Sequence, residues 1–118
     1  MPETPRSLSS LQREFAREIS LLITHIYSCG YEVTFGDAYR DPRLHGEPGV
    51  KLGYGHSKSC HKLRLAVDLN LFRDGQYLSL SSDHKKFGEW WKARSPYHAW
   101  GGDFDDGNHY SFTYQGMK

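Results

Sequence analysis

The chain has 118 residues, room for one domain with one modest core. Hydrophobic residues make up 37% and aromatics 14%, an apolar load that excludes a disordered chain. The formal net charge is +1 with both signs interspersed, and no basic block or stripe points to nucleic acid as a partner.

Residues 1–7, with Pro2 and Pro5, read as a loose arm. The opening MPETPRSLSSLQREF has no apolar core behind a basic start, so no signal peptide is expected. Ser9 followed by Gln12 fits a capping box. Leu8, Leu11, Phe15, Ile19, Leu22 and Ile26 then recur at steps of three and four, the stripe of a helix. Arg13, Glu14, Arg17 and Glu18 are expected on its outer face, and Gly30 ends it. His25 reads as a packed or solvated side chain. The apolar run from Ile19 to Ile26, broken by Thr24 and His25, is too short to cross a membrane, so no membrane insertion is expected.

Tyr31–Phe35 alternates as a short strand. Arg40 follows where strand gives way to loop, a usual position for binding groups, although on the residues alone a surface pairing with Asp37 or Asp41 is the better account. From Arg43 to Ser59 the chain is rich in Gly, Pro and His, and long loops in small domains are often functional, which makes His45 and His56 second-rank ligand candidates.

The next stretch is the most informative. Leu65, Val67, Leu69 and Leu71 point one way, and Arg64, Ala66, Asp68 and Asn70 the other, a period of two that marks a strand with one buried face. Aspartate is disfavoured in mid-strand, so Asp68 has either a solvated face or a ligand to serve. Arg73–Gln76 reads as a turn around Asp74-Gly75, with Tyr77–Leu80 as a return strand. Ser82 or Asp83 caps a second helix that runs to about Ala93, with Phe87 and Trp90 or Trp91 sharing its buried face, and Ser95-Pro96 ends it. A Gly-rich acidic loop from Trp100 leads to a last strand that begins at His109, with Asp106 three residues earlier.

The two cysteines, Cys29 and Cys60, are expected as free thiols, since a disulfide-stapled secreted domain would carry more. His61, Asp68 and His109 together make a two-imidazole, one-carboxylate set, a usual arrangement for catalytic zinc that leaves the fourth position to water. Asp106 is then placed to act as a base, and Arg40 to grip an oxyanion or a carboxylate. Asp103 and Asp105 offer either a calcium site or simply a polar loop.

The motifs resemble those of the zinc peptidoglycan peptidases that group D-alanyl-D-alanine carboxypeptidases with phage L-alanyl-D-glutamate endopeptidases. Their Ser-x-His-x-x-Gly-x-Ala-x-Asp motif is met by Ser59-Cys60-His61, Ala66 and Asp68, with Arg64 in place of the glycine. Their acidic-x-x-His motif is met by Asp106-Gly107-Asn108-His109, after a Trp-Gly-Gly-Asp-Phe lead similar to the phage branch, and Tyr39-Arg40 matches an upstream pair. The resemblance runs from about Tyr31 to Phe112.

It implies a small α+β domain over residues 1–118, Hedgehog/DD-peptidase-like, with an antiparallel sheet flanked by helices. It implies one zinc on His61, Asp68 and His109, Asp106 as general base, and Arg40 at the substrate or the developing charge. Ser59 and Arg64 would contact substrate, Arg64 either lining the groove or turning outward at a bulge. The implied function is cleavage of the stem peptide of bacterial peptidoglycan, at the L-Ala–D-Glu bond, by a phage or prophage endolysin. Such an enzyme would be made in the host cytoplasm and act on the wall after release. The alternatives are a D-alanyl-D-alanine carboxypeptidase and a non-catalytic zinc or wall-binding module. Nothing asks for an obligate partner, so a monomer is expected.

Overall fold

The computed structural model describes residues 7–36, 63–104 and 106–114. Arg40, His45, His56, Ser59, Cys60, His61 and Asp105, and residues 1–6 of the expected arm, lie outside the described residues.

Helix α1 spans Leu8–Ser28 and buries Phe15, Ile19, Leu22 and Ile26, the stripe anticipated from periodicity. Its cap differs from the expected one. Ser7, expected in the arm, is the N-cap and accepts from the Ser10 N–H at 3.1 Å, so Ser9 lies inside the first turn. Gln12 does not reach back to a cap but donates to the Leu63 carbonyl at 2.8 Å, tying α1 to the segment that enters the central strand. Glu14 and Glu18 are also not on the outer face. Glu18 accepts from Arg94 at 2.6 and 3.2 Å, and Glu14 accepts from the Tyr97 hydroxyl at 3.0 Å. The helix ends at Gly30 as expected.

Strand β1 is Glu32–Phe35, one residue shorter than read from sequence: the Tyr31 N–H donates to the Ile26 carbonyl at 3.2 Å at the end of α1, and its ring packs on Phe87. Strand β2 is Ala66–Arg73 and β3 is Gln76–Leu78. Between them Asp74 and Gly75 both hold positive φ, 53° and 77°, the geometry of a two-residue hairpin turn whose twist matches that of its strands. The return strand stops at Leu78 rather than Leu80, as the chain bends into a 3₁₀ turn at Ser81–His84. That turn, and not a Ser82 or Asp83 cap, leads into α2, Lys85–Ala93. Asp83 instead accepts from the Leu80 N–H at 3.1 Å.

Strand β4, His98–Trp100, was not anticipated, since three residues are too few to show a period. A 3₁₀ turn at Gly101–Phe104 follows, and β5 is His109–Phe112.

Among the described residues the architecture is α+β, two helices with a small antiparallel sheet in the order β1-β2-β5-β4. Strand β2 is its spine. Its first half pairs with β5, its second half pairs with β1 on one edge and with β3 on the other. Val67, Leu69, Leu71, Trp100, Tyr110 and Phe112 of the sheet and Leu65 just before β2 enter the core, joined by Phe15, Ile19, Leu22, Ile26, Phe87 and Trp91 from the helices. Of the helix aromatics, Phe87 and Trp91, four apart, are the buried pair. The Trp91 indole donates to the carbonyls of Ala99 and Ser111, while Trp90 stacks on His25 with ring centroids 4.4 Å apart. His25 is therefore a packing residue.

Candidate metal centre

The alternation of β2 places Ala66 and Asp68 on the face opposite the Leu65–Leu71 row. The register sets Ser111 beside Ala66 and His109 beside Asp68. Residues directly opposite on neighbouring strands share a face, so one carboxylate and one imidazole are brought together by strand pairing alone. Neither is solvated: Asp68 is 8% exposed and His109 4%. The open, solvated alternative for Asp68 is excluded.

Asp68 Oδ1 and His109 Nδ1 lie 3.4 Å apart. Two donors bound tetrahedrally to one zinc at about 2.0–2.1 Å lie about 3.3 Å from each other. A good N–H···O hydrogen bond is shorter, about 2.9–3.0 Å. The spacing is one that neighbouring ligands of one ion can adopt, and it is equally that of an Asp–His ion pair. Asp106 completes the group: one ligand atom from each of Asp68, Asp106 and His109 falls within 4.8 Å of the others, and the cluster can hold a metal ion. Asp68 and His109 are buried in it and Asp106 is exposed.

The turn that carries Asp106 and His109 is fixed on several sides. The Asp106 N–H donates to the Gly101 carbonyl at 2.7 Å, and the His109 N–H donates to the Asp106 carbonyl at 3.0 Å. The Trp100 indole donates to the Gly107 carbonyl at 2.7 Å, and the Gly107 N–H to Ser81 Oγ at 2.9 Å. The Leu69 N–H donates to the Asn108 carbonyl at 2.9 Å, which locks the turn onto β2 one residue past Asp68. Two glycines permit this closeness: a methyl group at Gly101 would collide with the Asp106 carbonyl and His109 Cβ, and one at Gly107 with the Ser81 backbone. The Trp-Gly-Gly lead thus has a mechanical role. Phe104, at the end of that lead, sets its ring edge to face against His109 at 5.7 Å.

Of the site residues read from sequence, Asp68, Asp106 and His109 converge, and Arg40, Ser59 and His61 lie outside the described residues. Arg64 departs from its expected place on the Asp68 face of the strand. The strand begins only at Ala66, and Arg64 takes a left-handed φ of 57°. Arg64 helps line a recess of about 360 Å³ with Gln12, Phe15, Ala16 and Ile19 of α1 and with Ala66 and Val67. The glycine of the resembling motif therefore falls at a position whose backbone suits glycine. Asp103 turns to Lys92, at 3.0 and 3.1 Å, as part of a polar loop.

Sequence reasoning missed Ser111. It is wholly buried on the face of His109, and its Oγ has no hydrogen-bond partner among the described residues. The two-residue step from His109 was the signal that could have found it.

No helix among the described residues is long and apolar enough to cross a membrane. No protein-family model matches the chain, and no curated protein matches it.

Proposed function

We propose that the chain is a zinc-dependent peptidoglycan peptidase that cuts the stem peptide of the bacterial cell wall at the L-Ala–D-Glu bond, on a Hedgehog/DD-peptidase-like form of the α+β fold. The observation that carries the reading is the buried Asp68–His109 pair at 3.4 Å, with Asp106 beside it on an anchored turn. Imidazole and carboxylate donors suit zinc. In this reading Asp68 and His109 hold the ion together with His61.

Bound zinc supplies Lewis-acid polarisation of the scissile carbonyl and a water acidified to a pKa of about 7. The exposed Asp106 carboxylate takes the proton of the attacking water and returns it to the departing amine, so the two products leave as an acid and an amine. Arg40 pairs with a substrate carboxylate or with the charge developing on the carbonyl oxygen, as a guanidinium fork does. Ser59 borders the substrate, whereas Arg64 lines the recess against α1. The protein acts as a phage or prophage lysis enzyme, a monomer that reaches the wall after release from the host cytoplasm.

A second reading has a specific observation behind it. The carboxylate of Asp106 lies within ligand reach, so Asp68, Asp106 and His109 also suit a non-catalytic metal module. Asp106→Ala separates the two. As a base, its loss leaves zinc bound and lowers turnover by about 10²–10⁴; as a ligand, its loss removes zinc. The bond is identified on a panel of defined stem peptides. An endopeptidase releases the L-Ala end from the remainder, whereas release of free D-Ala would assign the carboxypeptidase instead.

A further inference from the structure

The sheet face that carries Asp68 continues beyond the metal cluster. In steps of two along β2 it runs through Asn70 to Phe72. The register sets Thr34 beside Asn70, and Glu32 and Tyr77 on either side of Phe72. Tyr77 is 56% exposed, Glu32 and Thr34 are exposed, and Asn70 and Phe72 are half-buried. The Phe72 and Tyr77 rings meet at 5.5 Å with a 48° tilt. Asn70 Nδ2 reaches Thr34 Oγ1 at 3.4 Å.

We infer that this strip is a saccharide subsite, occupied by the N-acetylated glycan strand from which the stem peptide hangs. The identity of the glycan rests on the peptidase reading above. Aromatic rings offer flat apolar faces to the C–H faces of a pyranose. The hydroxyl and amide groups of the sugar then need donors and acceptors at the rim, and Asn70, Thr34 and Glu32 supply both. The charge of the strip selects against the other part of the wall: its five side chains carry one carboxylate and no cation, a poor surface for the acidic stem and a good one for a neutral sugar.

The spacing agrees. Phe72 is four residues from Asp68, about 13 Å along a strand. The L-Ala–D-Glu bond stands one residue and one lactyl link from the glycan, about 7 Å when extended. The sugars that flank the attachment point then fall along the strip.

The test is a titration of the zinc-loaded protein with chitotetraose, a soluble N-acetylglucosamine oligomer without peptide, followed by amide chemical shifts. Shifts confined to residues 32–34 and 70–78 are expected. Tyr77→Ala should weaken binding about fivefold to tenfold, and Tyr77→Trp should keep it. No shifts, shifts centred elsewhere, or unchanged affinity in Tyr77→Ala would overturn the inference. Tyr77 is an exposed edge residue, so its variants fold. A second readout keeps the two proposals apart: Tyr77→Ala should slow release of stem from intact wall and leave cleavage of free stem peptide unchanged. Equal slowing on both substrates would assign Tyr77 to peptide binding and reject the saccharide. A wild-type protein that binds chitotetraose on the strip and cleaves neither substrate would reject the peptidase reading while the saccharide site stands.

Discussion

At position 64 the backbone holds a φ of 57°, where an arginine carries a steric cost that a glycine does not. Arg64→Gly is expected to stabilise the fold by about 0.5–1 kcal/mol, after allowing for the greater freedom of glycine in the unfolded chain. A urea melt checks this: the midpoint should rise with an unchanged slope, and a lower midpoint would mean that the arginine's contacts outweigh the backbone strain. His109 depends on a different effect, cross-strand pairing. His109→Ala removes one of the two donors that stand 3.4 Å apart, so zinc and activity should be lost together. Full zinc occupancy in that variant, measured by atomic emission, would show that the ion is held elsewhere.

The turn from Asp106 to His109 owes its shape to its neighbours. The Trp100 indole donates to the Gly107 carbonyl inside a buried contact, and Trp100→Phe keeps one aromatic ring but removes the N–H that this carbonyl accepts from and part of the packing on Gly88 and Gly102. The expected cost is about 1–3 kcal/mol, together with weaker zinc binding because Asp106 and His109 are carried by the same turn. A variant as stable as the parent, with the same zinc affinity, would show that Ser81 and Gly101 hold the turn unaided.

This dependence also explains what the sequence could show. The α1 stripe, the alternation of β2 and the Asp74-Gly75 turn were readable because each is set by local periodicity or turn chemistry. The pairing of Asp68 with His109 was readable only as a motif, since residues 41 apart meet through register. The Ser7 cap, the inward-facing Glu14 and Glu18, the short β4 and the left-handed Arg64 were not readable. Each is decided by contacts between elements or by the place where a strand begins.

At the scale of the whole molecule, buried titratable groups make the fold acid-sensitive. Burial pushes the His84 imidazole down to about 4, where it shares a 2.8 Å hydrogen bond with the Tyr110 hydroxyl. A base with a lowered folded pKa binds its proton first in the unfolded chain. Its stabilisation is therefore complete above pH 6.5 and is lost as pH falls toward about 4. Glu18 acts in the same sense: the Arg94 hydrogen bond holds its carboxyl below 4.5, and that contribution fades as pH falls through the lowered value. The melting temperature should fall between pH 6.5 and 4, and His84→Gln should flatten that part of the curve. A parent curve flat over that range would contradict the burial of a neutral imidazole.

The same whole-molecule scale holds the central claim, a zinc centre that cuts the wall peptide. The direct measurement is the metal content of the purified protein, paired with lysis of outer-membrane-stripped bacteria before and after chelation. About one zinc per chain, with lysis lost on chelation and restored by zinc, is the predicted result. A folded protein that binds no zinc, or that lyses equally well after chelation, would contradict it.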